Sequence, residues 1–287
     1  MEKTYQYQAA LFFLLAYAVT WTLWFAGVYV GSRQGLEAYG SVFSLVGLLG
    51  PIGAALSLVH TSDSVSLKND FKDRLFNLRR IRPIFALAAF AMPFAVILLS
   101  ILLSLGFGES PDQLRFSGGG SLLAMIVLAM VLAPIMEEVG WHGYGVDSLR
   151  ARSGVLKATL LFGLLWSAWH APLFLIGGTY QNALTHMGNP VFVANFFVSV
   201  IPAAIIANWF YYRNGRSIAL AIFLHSMLNA ASVVLNAGQI AKCIATLLYA
   251  AIAVALIVAD RTLFAEGPRN FLGGDPQRRD VNRQSAG

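Results

Sequence analysis

Two adjacent acidic residues, Glu137 and Glu138, lie in an otherwise apolar part of the chain, and His142 follows four residues after the second. Two further histidines, His170 and His225, interrupt apolar segments downstream. Ionisable side chains at membrane depth cost about 2.5–3.5 kcal/mol each on insertion scales, so they face the interior of a helix bundle and mark a functional site. The pattern therefore predicts that these polar residues converge on one site.

The residue types in this set are those of acyl hydrolysis by an activated water molecule. A partly desolvated glutamate and an imidazole can share one water and act as a general base. Asn229 lies four residues after His225, so a helix turns both to one face, where their N–H groups can donate to a developing oxyanion. Glu137 and Glu138 point about 100° apart on a helix, so we expect one to react and the other to support it. No serine or cysteine lies beside the set as an obvious nucleophile.

The spacing within the first motif indicates which glutamate is the support. Glu138 and His142 are four residues apart and should meet on a helix, where the imidazole would orient the carboxylate that does not react. Three tryptophans near the candidate site, Trp141, Trp166 and Trp169, are candidates for the lining of a substrate pocket, although such aromatic side chains more often pack in the core.

A metal site is an alternative use of the same side chains. His170, His225 and a glutamate would supply the three protein ligands of a catalytic zinc. The His-Glu-x-x-His helix signature is absent, so we expect no cofactor, with zinc kept as the alternative.

Composition places these residues in a membrane protein. The 287 residues are 57% hydrophobic and 12% charged, a balance that points away from a soluble fold. The net charge of +6 does not indicate nucleic acid as a partner, because in a membrane protein the positions of Lys and Arg matter more than their sum. The single cysteine, Cys243, excludes an intrachain disulfide.

Eight apolar segments reach the roughly 20 residues that a spanning helix needs. They cover about 9–30, 39–60, 84–107, 121 to the glutamates, 158–176, 191–212, 217–235 and 243–259. This pattern predicts an all-α fold, a bundle of about eight transmembrane helices. We expect a single transmembrane domain in residues 1–260, with the motifs in 133–229, and a flexible cytoplasmic tail in 261–287.

Eight spans place both termini on the same side of the membrane. On that side fall all of the 20 Lys and Arg residues except Arg33, Arg115 and Lys242, so both termini are predicted to be cytoplasmic. The connector at residues 61–83 is basic and amphipathic, which predicts an interfacial segment lying against anionic lipid.

Counting along the helices brings the motifs to a common depth. At about 1.5 Å per residue, Glu137, His170, His225 and Asn229 lie roughly 13–20 Å from the cytoplasmic ends of their helices. The membrane core is about 30 Å thick, so one layer can hold all four.

Three stretches carry a resemblance to a known family: Glu137-Glu138-Val139-Gly140-Trp141-His142, Trp166-Ser167-Ala168-Trp169-His170 and His225-Ser226-Met227-Leu228-Asn229. They resemble the Glu-Glu-x-x-x-Arg, Phe-x-x-x-His and His-x-x-x-Asn motifs of the type II CAAX prenyl endopeptidases and their bacterial relatives, the CPBP or Abi membrane proteases. Their order and placement together make the resemblance fairly specific over about a third of the chain.

The resemblance implies that Glu137 and His170 activate the water and that His225 and Asn229 form the oxyanion hole. It also implies an eight-helix bundle with a catalytic cavity open to the cytoplasm. The expected activity is intramembrane cleavage of a peptide or protein held in the lipid bilayer, with or without a lipid attached. We expect a multi-pass protein in the plasma (inner) membrane of a prokaryote, and the sequence does not specify the oligomeric state.

This chain departs from the family motifs at two positions. His142 stands where the family has arginine, and Trp166 stands where it has phenylalanine. Arginine stays charged at any working pH and histidine does not, so the support of Glu138 is expected to depend on pH. A relative of this kind can also keep the fold without proteolysis. A non-catalytic scaffold or immunity protein, or a transporter that relays protons through its buried acids, is therefore the alternative function.

Overall fold

The computed structural model describes residues 5–115 and 130–272. These residues form helices joined by short turns, with no β-sheet among them. Within that part of the chain, six helical segments are long and apolar enough to cross a bilayer: Ala9–Gly31, Ala38–Thr61, Pro83–Phe107, Val155–Leu175, Pro190–Arg213 and Gln239–Ala259. The predicted fold class, an all-α multi-pass membrane protein, is confirmed.

The helices are numbered in chain order. They are α1 Ala9–Gly31, α2 Glu37–Gly47, α3 Leu49–Thr61, α4 Val65–Phe76, α5 Pro83–Ser104, α6 Ala133–Gly140, α7 Val146–Arg150, α8 Val155–Trp169, α9 Tyr180–Thr185, α10 Pro190–Arg213, α11 Ile218–Val234, α12 Gln239–Ala259 and α13 Arg261–Phe264. A π-helical turn, Trp141–Gly145, joins α6 to α7 without a break, and a 3₁₀ turn, Ala171–Leu175, follows α8.

Two of the predicted spans are not among these six segments. The fourth predicted span begins at residue 121, outside the described residues, and α11 is apolar but only 17 residues long. The count of eight spans therefore stays a prediction. The predicted flexible tail, residues 261–287, begins with a short helix, Arg261–Phe264, in which Leu263 and Phe264 are buried. Residues 273–287 lie outside the described part of the chain, and the flexibility of the tail stays a prediction.

Connections predicted to be cytoplasmic meet at one end of the bundle. The hydroxyls of Tyr5 and Tyr144 are 2.7 Å apart, and Asn270 donates to the Tyr5 carbonyl at 2.8 Å. The backbone N–H of Arg82, just before α5, donates to the Asn214 side chain at 3.2 Å. The Arg216 guanidinium, in the turn after α10, lies 4.0 Å from the centre of the Phe271 ring in the tail and joins the two pairs. The N-terminal segment, the basic connector, this turn and the tail thus share an end. Its assignment to the cytoplasm stays a prediction.

The break between α2 and α3 lets α3 approach the first motif closely. Pro51 has no N–H for the Gly47 carbonyl four residues earlier, and the Thr20 hydroxyl donates to that carbonyl instead, at 2.8 Å. Gly140, two residues after the glutamates, packs on Pro51 so tightly that a Cβ there would lie 2.4 Å from the Pro51 carbonyl carbon. Glycine is therefore required where α6 crosses α3.

The basic connector contains α4, which packs beneath the first motif. Ser64 caps α4 by accepting a hydrogen bond from the Leu67 N–H at 3.2 Å, and Leu67 and Phe71 are buried. Arg74 on the same helix is also completely buried. The interfacial interpretation of the connector is therefore wrong for Arg74, because periodicity alone cannot tell a snorkelling cation from one that has partners in the core.

Candidate active site

Glu137 lies on α6 with only 5% of its surface exposed. Its carboxylate oxygen Oε2 accepts hydrogen bonds from the indole N–H of Trp166 at 2.8 Å and of Trp141 at 3.4 Å. Among the described residues, no arginine, lysine or histidine lies within salt-bridge distance of this carboxylate. Sequence reasoning missed both tryptophan contacts. The four-residue spacing could have indicated Trp141, but Trp166 comes from another helix.

Glu138 is also buried, and its two oxygens contact two different histidines. Oε2 pairs with Nδ1 of His142, as the spacing predicts. Oε1 accepts from Nδ1 of His225 on α11 at 2.7 Å. Sequence reasoning did not find this second contact, because nothing in the spacing relates α6 to α11. Glu138 therefore joins the first motif to the third.

His142 is completely buried, and each of its ring nitrogens faces an acceptor. Nδ1 faces Glu138, and Nε2 lies 2.9 Å from the side-chain oxygen of Asn208, whose amide donates to Thr159 at 2.8 Å. An imidazole satisfies two acceptors at once only as the imidazolium, because a neutral ring carries one N–H. As placed, the ring thus has the hydrogen-bonding pattern of a cation where related motifs carry arginine.

His170 caps the C-terminal end of α8. Its Nδ1 lies 2.8 Å from the Trp166 carbonyl and must donate to it, which leaves the lone pair of a neutral ring on Nε2. Edge-to-face contacts fix the ring, with centroids 4.8 Å from Trp169 and 5.3 Å from Phe196. A histidine in this tautomer can accept a proton from water.

Trp166 lies between the predicted catalytic groups. Its indole donates to Glu137, and its ring centroid lies 5.4 Å from that of His225 and 6.2 Å from that of His170. Half-buried Asn229 follows His225 by one turn on α11. The structure thus gathers side chains of all three motifs around this one ring. The reactive roles assigned to them stay predictions.

Trp141 and Trp169 are completely buried, and their ring centroids lie 5.5 Å apart, edge to face. Trp24 of α1 lies 4.7 Å from Trp169 and extends the cluster. Trp141 contacts Glu137, and Trp169 packs against His170. Trp24, Trp141 and Trp169 are here called the tryptophan wall. Substrate contact by Trp141, Trp166 or Trp169 stays a prediction.

The described residues contain no group of three His, Cys, Asp or Glu side chains that could hold a metal ion. In the zinc alternative, His225 would have to coordinate through Nε2, because its Nδ1 bonds Glu138. The expectation of no cofactor stays a prediction.

Next to the π-helical turn lies a largely buried group of charges, here called the basal ionic cluster: Asp70, Arg74, Asp147 and Arg216. Arg74 donates to the carbonyls of His142 at 2.9 Å and Gly143 at 2.8 Å, both in the π-helical turn. The same guanidinium bonds Asp70 at 2.7 Å. A residue of α4 therefore holds the backbone that follows Glu137 and Glu138, at a π-turn of the kind often found at functional sites.

Arg216 completes the cluster from the turn before α11. It contacts Asp147 and donates to both oxygens of Asp70 at 3.0 Å each. Its backbone φ is 64°, a left-handed conformation that is strained for a side-chain-bearing residue and persists only where the surroundings hold it. Burial opposes ionisation of Asp70, but Arg74 and Arg216 outweigh it, so the pKa of Asp70 lies below its ordinary value.

Comparison with known proteins agrees with this arrangement. Residues 119–231 match the family model described as "Type II CAAX prenyl endopeptidase Rce1-like". The chain is 38% identical over 269 residues to the CAAX prenyl protease 2 of Methanococcus maripaludis, an alignment that covers 93% of this chain and 99% of that protein. The family match contains all three motifs. The chain therefore belongs to the Rce1-like family of type II CAAX prenyl endopeptidases.

Proposed function

We propose that this protein is an intramembrane endopeptidase that hydrolyses a peptide bond of a membrane-held substrate with an activated water molecule. The observation that carries the proposal is the environment of Glu137. It is a buried carboxylate held by two neutral indole donors, beside a tryptophan whose ring also contacts His170 and His225. Such a carboxylate is available as a general base for a water molecule, because no permanent cation among the described residues pairs with it.

In the proposed mechanism Glu137 and His170 orient one water molecule and accept its proton as the water oxygen bonds to the carbonyl carbon. The carbonyl π electrons move onto oxygen, and the N–H groups of His225 and Asn229 donate to that oxyanion. When the tetrahedral intermediate collapses, the C–N bond breaks and the proton taken up from water passes to the leaving amine. The water thus adds hydroxyl to one product and hydrogen to the other.

The hydrogen bonding of His225 adds a condition to this mechanism. Its Nδ1 faces Glu138, so a neutral ring has no proton on Nε2, and only the imidazolium can donate from that nitrogen to an oxyanion. Glu138 supplies the compensating negative charge. Glu138 is therefore proposed to act through His225 as well as through His142.

We propose a lipid-bearing C-terminal segment as the substrate class. The name of the Methanococcus relative describes a protease for CAAX prenyl ends, that is, C-terminal Cys-a-a-X sequences with a prenylated cysteine. A prenyl chain would hold the peptide in the bilayer, where an intramembrane site can reach it.

The proposal is tested with purified protein in lipid vesicles. A farnesylated peptide ending in Cys-a-a-X and its unmodified counterpart are incubated with wild type and with Glu137→Ala, and the products are identified by mass spectrometry. We expect the wild type to release the C-terminal fragment, with no loss of activity in chelator, and the variant to be inactive. Inhibition by chelator that added zinc reverses would favour the zinc alternative.

A second measurement covers substrates that carry no lipid. Membranes of cells with wild type or Glu137→Ala are compared for new C-terminal ends by proteomics. Absence of cleavage in both experiments, with full biological function of Glu137→Gln, would contradict the proposal and favour the scaffold.

A further inference from the structure

Lys242 is a cation that the proposed mechanism does not use. It lies in the first turn of α12, is half-buried, and its ammonium sits 4.3 Å from the centre of the Tyr180 ring. No carboxylate among the described residues forms an ion pair with it. A half-buried cation at the end of a spanning helix, with only an aromatic face as the partner of its side chain among the described residues, points to an anionic ligand.

Glu109, an acidic side chain near the start of α12, already has a hydrogen-bond partner. Glu109, after α5, accepts from the Gln113 amide at 3.2 Å, and the Gln113 oxygen in turn accepts from the Gly238 N–H at 2.6 Å. Glu109 is thereby tied to the turn that precedes α12 and is not ion-paired with Lys242.

Tyr180 connects Lys242 to the candidate site. Its hydroxyl donates to Gln239 at 3.0 Å, which fixes the ring beside α12. Its ring centroid lies 6.4 Å from that of Phe196, which lies 5.3 Å from that of His170. Together with the 4.3 Å between the Tyr180 ring and the ammonium, these distances place the Lys242 ammonium at most about 16 Å from the centre of the His170 ring.

A short extended peptide fits within this bound. Three residues span about 10 Å, and a hydrogen bond at each end adds about 3 Å. In a Cys-a-a-X end, three residues separate the bond after the modified cysteine from the terminal carboxylate. A peptide whose carbonyl lies at the water-activating groups is therefore long enough for that carboxylate to reach the Lys242 ammonium.

We propose that Lys242, held by Tyr180, binds the C-terminal carboxylate of the substrate about three residues beyond the cleaved bond. The inference rests on the proposed function. The charge-assisted hydrogen bond would select substrates that end at this point and reject amidated or longer chains, because these would leave the ammonium unpaired.

The test is a two-by-two comparison of kcat/KM. Wild type and Lys242→Gln each cleave the same lipidated peptide, ending either in a free carboxylate or in an amide. We expect wild type to favour the carboxylate by about 10- to 100-fold, the worth of a hydrogen bond to a charged group. The variant should lose this preference and fall to the level that wild type shows with the amide.

Two variants serve as controls. Lys242→Arg should keep part of the preference, because it retains the charge. Lys72→Gln, on the exposed face of α4, removes a cation of the same type elsewhere and should keep all of it.

Equal loss on both peptides in Lys242→Gln would overturn the proposal, since a structural lysine does not distinguish the two ends. A loss that appears only in vesicles containing phosphatidylglycerol, for both peptides alike, would overturn it in favour of a lipid headgroup. Binding of the same two peptides to Glu137→Gln protein tests the carboxylate site without turnover. Selective binding with no cleavage by wild type would therefore contradict the proposed function and leave the Lys242 site standing.

Discussion

The candidate site and the basal ionic cluster both bury carboxylates, but they hold them differently. In the cluster, Asp70 and Asp147 face the guanidinium groups of Arg74 and Arg216. In the site, Glu137 accepts from indoles, and Glu138 accepts from two imidazoles. One region pairs its acids with permanent cations, and the other pairs them with groups that are neutral or able to release a proton.

This difference separates support from chemistry. A guanidinium does not exchange its proton at any working pH, so the cluster keeps one charge state and can hold the backbone at the π-turn. The groups above it can change protonation during a reaction. Neighbouring buried charges in the same bundle are thus suited to opposite tasks, and substitutions should separate the two.

The largest expected effect is on turnover at Glu137. Glu137→Gln keeps an oxygen for the two indole donors but cannot accept a proton, so we expect cleavage to fall by roughly two to four orders of magnitude. The melting temperature should stay close to that of wild type. Cleavage rate and thermal unfolding, measured on the same preparation, check both parts.

Glu138→Gln is the matched comparison. An amide has one oxygen for two imidazole donors, so stability should fall, while turnover should be reduced less than in Glu137→Gln. A reversed ranking of the two turnover rates would show that the roles of the glutamates are exchanged.

Arg74→Gln should have the largest effect on stability. The substitution removes the Arg74 hydrogen bonds to the carbonyls of His142 and Gly143 and its ion pairs with Asp70 and Asp147, and breaking a buried ion pair costs about 3–5 kcal/mol. We expect the free energy of unfolding in denaturant to fall by this amount. Arg79→Gln, at an exposed position on the same connector, should change it little; equal effects would contradict a specific role for Arg74.

His142→Arg makes the site resemble the cluster. Wild type should lose activity at alkaline pH, because a neutral imidazole has one N–H and cannot donate to both Glu138 and Asn208, at a cost of about 1–3 kcal/mol. Four ionisable side chains lie near His142. Glu138 and Tyr211 of α10 contact its ring, Arg74 donates to its backbone carbonyl, and His225 bonds the same Glu138 carboxylate.

The variant should lack this alkaline limb, because arginine stays charged. Both proteins are compared by kcat/KM against pH, so that titration of the substrate and of the other histidines cancels. Identical profiles for wild type and an active variant would make His142 a packing substitution.

The smallest expected effect concerns Asp70. Its pKa is lowered from 3.8 in the fold, so its contribution to stability is present above about pH 4 and disappears as the pH falls through the folded pKa. At neutral pH, Asp70→Asn should be less stable than wild type by about 1–3 kcal/mol, and the gap should close in acid. Asp63→Asn, at an exposed position, is the control for general acid effects. A gap independent of pH would argue against the paired carboxylate.

The sequence predicted the parts of this arrangement that depend on helical spacing. The polar residues in apolar segments converge, and Glu138 meets His142 at four residues' distance.

Contacts between helices could not be predicted in this way. Trp166 on Glu137, His225 on Glu138 and Asn208 on His142 each come from a different helix, and a single sequence carries no signal for such pairing. Arg74 was misplaced for the same reason. A basic residue on an amphipathic helix looks the same whether it faces lipid or a buried aspartate.

The tryptophan wall gives the site an optical signature. The ring centroid of Trp169 lies 4.7 Å from that of Trp24 and 5.5 Å from that of Trp141. Neighbouring rings are thus close enough for their electronic transitions to couple. The Trp166 indole N–H is bonded directly to Glu137, so the vibrational and emission bands of that ring depend on whether the carboxylate holds a proton. Near-ultraviolet spectroscopy of the unlabelled protein can therefore follow the charge of the proposed base during turnover, with Trp166→Phe as the variant that removes the signal.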